Sequence, residues 1–98
     1  MTQLEQKITD SVSTGIAGKY IKTAKLFGSY AYGKPTAKSD IDLLVTLKSG
    51  IGYFTLCAIE SELEKKLKKK VDLVTEGALS RHIRKDVLKK AKTVYVEK

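Results

Sequence analysis

The sequence predicts an α/β (α+β) fold: a small mixed β-sheet with helices packed on it. Three observations carry that expectation. Segments with apolar residues at helical spacing alternate with short runs of β-branched and other apolar residues. The run opened by Asp40-Ile41-Asp42 is apolar on both faces beyond the acids, as a central, covered strand is. The element order, helix, strand, strand, helix, strand, helix, strand, suits one sheet covered by helices. With 98 residues there is room for a single small domain, 1–98, with a modest core.

From Gln3 to about Gly18, Leu4, Ile8, Val12 and Ile16 recur every four positions. That stripe predicts one amphipathic helix, with Gly18 as its stop. Ile21 to Phe27 alternates loosely and ends at Gly28, as a strand delivering a loop would. Ser29 to Gly33 fits one helical turn, and Lys34-Pro35-Thr36 must then be a turn, because proline ends what precedes it. Asp40 to Leu47 is the second strand, with Ile41, Leu43 and Val45 on one face and Leu44 continuing the Asp face. A break at Ser49–Gly52 leads to a helix from about Tyr53 to Lys69, carrying Leu56, Ile59, Leu63 and Leu67. Its tail sets five lysines around Leu67; this reads as a solvated helix end, with an anion-binding patch as the alternative. Val71 to Thr75 is a short strand with Val71 and Leu73 on one face and Asp72 on the other. Ser80 suits the N-cap of a last helix, Arg81 to Ala91, with Ile83, Val87 and Ala91 inward. Thr93 to Val96 predicts an edge strand.

Composition narrows the function classes. Net charge is +8, which favours anionic partners such as nucleotides, nucleic acid or an acidic protein surface, and is equally compatible with a merely soluble surface. No segment approaches a membrane span. The N-terminal stretch has no apolar core of a signal peptide and carries acids. One cysteine, Cys57, excludes an internal disulfide and reads as a small buried hydrophobe. The expected compartment is the cytoplasm. His82, the single histidine, reads as a surface residue.

The stretch that carries chemistry is GSYAYGKPTAKSDID, from Gly28 to Asp42. Side chains alternate along a strand, so Asp40 and Asp42 project from one side, about 7 Å apart along it. Two carboxylates so placed repel each other and lose hydration unless a cation lies between them. Carboxylates completed by waters and substrate phosphates are what Mg²⁺ prefers. Gly28 lets a ligand approach the backbone, and Ser29 adds a hydroxyl and an N–H, together a candidate phosphate cradle. No dinucleotide fingerprint or Walker P-loop fits, since no GK[ST] follows.

GSYAYG followed by SDIDLLV resembles the G-S-x-A-x-G…S-D-[IVL]-D core of the minimal nucleotidyltransferases, in the DNA polymerase β-like superfamily. With the later KVDLV, the resemblance covers most of the chain. Many members carry Arg where this chain has Tyr32. The resemblance implies the nucleotidyltransferase core fold, ATP as substrate, and two Mg²⁺ ions held by Asp40 and Asp42. It implies that Asp72 is the third acid and that Gly28 and Ser29 bind the nucleotide's phosphates. It also implies a helical HEPN toxin as partner, with AMP transferred to one of its tyrosines. Two other classes stay open: a non-catalytic module that neutralises its partner by contact, which Tyr32 invites, and a nucleic-acid-binding protein using the lysine surface. Nucleotidyl transfer to a small molecule or an RNA end is a further alternative.

Overall fold

In the computed structural model of the chain, which describes residues 2–33, 36, 39–48 and 50–97, helix α1 (Gln3–Val12) opens on a capping box. The Thr2 hydroxyl accepts from the Glu5 N–H at 3.1 Å, and the Glu5 carboxylate accepts from the Thr2 N–H at 3.2 Å. This satisfies two of the N–H groups that a helix start leaves unpaired.

The single helix expected over Gln3–Gly18 is two helices. α1 ends at Val12 and α2 spans Gly15–Tyr20. The Ser13 and Thr14 hydroxyls both bond back to the Asp10 carbonyl, at 3.0 and 3.1 Å, which offers the backbone an alternative to the next helical turn. Gly15 then takes φ +64, a conformation outside the α-helix. The apolar stripe ran through this break, and Ile16, its fourth member, is left 41% exposed.

Strand β1 (Ile21–Phe27) is followed by the single turn α3 (Ser29–Tyr32), then by β2 (Ile41–Leu47), the long helix α4 (Tyr53–Leu67), and β3 (Val71–Thr75). A 3₁₀ turn over Glu76–Ala78, which no sequence signal announced, leads to α5 (Arg81–Lys90) and β4 (Lys92–Val96). The sheet order is β3-β2-β1-β4, with β2–β3 parallel and both other pairs antiparallel, so β2 is central and β4 an edge. The parallel pair follows from α4, a crossover long enough to return the chain to the same end of the sheet.

Both faces of β2 are used, as its double apolar pattern predicted. Ile41, Leu43 and Val45 join Ile8, Ile59 and Leu63 in the main core beneath α1, α2 and α4. On the other face Leu44 packs with Leu79 and Val87, flanked by Phe27, Val74 and Leu88. In β1 the core residues Ile21 and Ala24 are an odd number of positions apart. The register shift between Ile21 and Thr23 turns both to the same side.

The inner face of α5 differs from the expected Ile83–Val87–Ala91 stripe. Val87 is buried and Leu88 packs beside it, but Ile83 is 51% exposed. Arg84 lies inward instead, half-buried, with its guanidinium donating to the Leu79 carbonyl at 3.2 Å. Cys57, expected to be buried, is half-buried. His82 is exposed, as expected.

Candidate active site

The end of β1 and the starts of β2 and β3 meet at one end of the sheet. Two registers align their residues. Phe27 pairs with Asp42 across β1–β2, and Asp42 pairs with Asp72 across β2–β3. Paired residues on neighbouring strands project from the same face, so Phe27, Asp42 and Asp72 form a row. Asp40 lies just before β2 begins, close enough for its charge to act on Asp42. The start of the parallel pair is tied by the Ile41 N–H donating to the Lys70 carbonyl at 2.9 Å. The adjacency of Asp72 to the Asp40–Asp42 strand, which spacing alone left open, is therefore a product of register.

The electrostatics follow from this row. The Asp42 carboxyl is pushed above its usual range, first by burial, then by the negative charges of Asp72 and Asp40. Among the described residues, none of the three carboxylates has an ion-pair or hydrogen-bond partner. Nor, among the described residues, do three histidine, cysteine or acidic side chains gather closely enough to hold a metal by themselves. The donor set is all oxygen and its like charges are uncompensated. Such a set could hold a hard divalent cation whose remaining ligands come from water and substrate.

Gly28 borders the acids. It takes φ +73, and a β-carbon there would run into the Asp42 carboxylate. Its carbonyl accepts from the Ala31 N–H at 3.0 Å, which closes the turn into α3. Ser29 heads α3, but its side chain, like that of Tyr32, lies outside the described residues, as do Lys34 and Pro35 of the expected turn. Ser39 has a structural part: its hydroxyl accepts from the Thr36 N–H at 2.8 Å and its own N–H donates to the Thr36 carbonyl at 3.0 Å. The Tyr30 hydroxyl donates to the same carbonyl at 3.4 Å, tying the approach to Asp40 onto α3. Sequence reading missed Phe27 as a neighbour of the acids, because only an antiparallel register could have found it.

The family described as "Polymerase beta, Nucleotidyltransferase" matches residues 6–98. A Methanocaldococcus jannaschii protein provisionally named a protein adenylyltransferase is 40% identical over 68 residues, covering 68% of this chain and 69% of the relative. The protein adenylyltransferase MntA of Thermococcus cleftensis is 34% identical over 76 residues, covering 78% of this chain and 75% of that one. Among solved structures, a chain of a mutant MntA toxin–antitoxin complex superposes with a TM-score of 0.72 at 26% identity, covering 96% of this chain and 73% of that chain. The expected core fold is thus found, and the chain belongs to the polymerase β-type nucleotidyltransferase family.

Proposed function

We propose that this chain is a Mg²⁺-dependent protein adenylyltransferase of a toxin–antitoxin pair. It transfers AMP from ATP to a hydroxyl of its partner, a tyrosine of a helical HEPN toxin. The observation that carries the reading is the row of Asp42 and Asp72 in parallel register beside Gly28. It is supported by the family match and by relatives that bear the name protein adenylyltransferase. A solved relative is itself part of a toxin–antitoxin complex.

Asp40, Asp42 and Asp72 would hold Mg²⁺, which supplies charge neutralisation at the entering and leaving oxygens of the phosphoryl centre. The chain's own residues do the rest. At the Gly28 turn the backbone approaches the β- and γ-phosphates beside Asp42, and Ser29 offers its N–H and hydroxyl. Asp72, the most exposed acid of the row, takes the proton of the acceptor hydroxyl. The acceptor oxygen bonds to the α-phosphorus, the α–β phosphoanhydride bond breaks, and pyrophosphate leaves with the bonding electrons. No covalent enzyme intermediate is needed. The compartment proposed is the cytoplasm, where ATP is present; no described helix is long and apolar enough to cross a membrane.

The test incubates the chain with labelled ATP and Mg²⁺, with and without the protein encoded beside its gene, and reads intact masses, with Asp42→Asn as control. A gain of one or more AMP units on the partner, absent in the control, is the expected result. One observation favours a second reading, neutralisation by contact alone: among the described residues no ready-made three-ligand metal group exists. A tight complex without any mass gain would select it.

A further inference from the structure

Helix α4 ends on Lys68, whose φ of +55 is left-handed and turns the chain sharply into β3. The turn throws Lys69 across to α3. Its ammonium lies 5.6 Å from the centroid of the Tyr30 ring. Tyr30 itself packs against the main core and sits two residues after Gly28. Lys69 is half-buried, and among the described residues it has no carboxylate within ion-pair distance. Glu64 shares a groove of about 440 Å³ with Lys68, Lys69 and Lys70. Its carboxylate is engaged by the Val71 N–H at 3.0 Å.

A cation over an aromatic face is a weak arrangement when solvent reaches it, and a bond to a phosphate oxygen is stronger. Lysine, a compact charge on a flexible stem, can exchange one for the other. The lysine stands at the same end of the sheet as Gly28, Asp40, Asp42 and Asp72, because Lys70 bonds the start of β2. We propose that Lys69 leaves the Tyr30 ring to bind the β- and γ-phosphates of the incoming nucleoside triphosphate. It is a positioning residue for the end of the substrate that departs as pyrophosphate. This rests on the nucleotidyltransferase reading above. The ammonium meets those phosphates before and after transfer alike, so its contribution belongs to binding rather than to the chemical step.

The experiment measures binding of inorganic tripolyphosphate, ATP and AMP to the full chain with Mg²⁺ by calorimetry, and KM and kcat for transfer. It compares wild type with Lys69→Ala, Lys69→Arg and, as a control for mere loss of charge, Lys65→Ala. Lys69→Ala should weaken tripolyphosphate and ATP about tenfold, the scale of one charge-assisted hydrogen bond, and leave AMP unchanged. KM for ATP should rise by a similar factor with kcat within about twofold, Lys69→Arg should restore both, and Lys65→Ala should match wild type. Unaltered tripolyphosphate affinity in Lys69→Ala, an equal loss for AMP, or no tripolyphosphate binding by wild type would each overturn the inference. A wild-type chain that binds tripolyphosphate through Lys69 yet transfers nothing would sink the transferase reading alone.

Discussion

Gly28 and Asp42 share one small space: a β-carbon on residue 28 would run into the Asp42 carboxylate oxygen Oδ2. The glycine thus clears the ground for the central acid, and its φ of +73 makes it hard to replace on backbone grounds as well. Gly28→Ala should lower the melting temperature by about 5–10 °C, from ~1 kcal/mol or more of strain at roughly 4–8 °C per kcal/mol. Transfer should fall about 100-fold as Asp42 is displaced. Parallel thermal melts and AMP-transfer assays check both; unchanged transfer would show that the close approach is dispensable.

Asp42 carries a different trade. Burial, then Asp72 and Asp40, raise its carboxyl above the usual 3.8. An acid raised in the folded state adds stability below its unfolded pKa, and that contribution is lost as pH rises through the folded value. At neutral pH the ionised group therefore works against the fold. Asp42→Asn should melt higher than wild type at pH 7 without metal, and the gap should close below pH 3.8. Added Mg²⁺ should raise the melting temperature of wild type more than that of the variant. Transfer should fall at least about 100-fold, since several kcal/mol of charge stabilisation are lost at 1.36 kcal/mol per tenfold.

Glu62 reaches from α4 to the start of α2. It accepts the Ile16 N–H at 2.9 Å and the Ala17 N–H at 3.3 Å, and pairs with Lys66 at 3.1 Å. Burial alone would raise its carboxyl, but the Ile16 N–H, Lys66 and the Ala17 N–H together hold it below the usual 4.5. A depressed acid gives stability present above its unfolded pKa and lost as pH falls through the folded one. Glu62→Ala should lose about 1–2 kcal/mol, as loss of a helix cap does, read from the urea midpoint at pH 7. The difference from wild type should shrink as pH drops below 4.5.

Glu64 and Glu60 cover the outer edge of β3, accepting from the N–H groups of Val71 at 3.0 Å and Leu73 at 3.1 Å. An uncovered strand edge invites pairing with another chain. The double variant Glu60→Ala/Glu64→Ala should associate at concentrations where wild type does not, as light scattering would register. A monodisperse double variant with wild-type hydrogen exchange at Val71 and Leu73 would show that the two carboxylates guard nothing.

Period and motif made much of this legible. The alternation of Ile41, Leu43 and Val45 against Asp42 and Leu44 placed a central strand and its two faces, because strand geometry repeats every two residues whatever surrounds it. Periodicity misled where a local bond competed with the helix. Ser13, Thr14 and Gly15 ended α1 although the apolar stripe continued, and Arg84 took the inward place assigned to Ile83.

By itself, the sequence determined the order of the four strands, the two faces of β2, and the Gly28 turn that precedes Asp40 and Asp42. These depend on residues a few positions apart. Only the tertiary structure decided that Asp72 lies beside Asp42, that Lys69 rests on Tyr30, and that Glu60 and Glu64 bond the edge of β3 while Glu62 bonds the start of α2. Each of those relations joins distant parts of the chain through strand register or helix rotation. Register and rotation are set by packing of the whole core rather than by any local pattern.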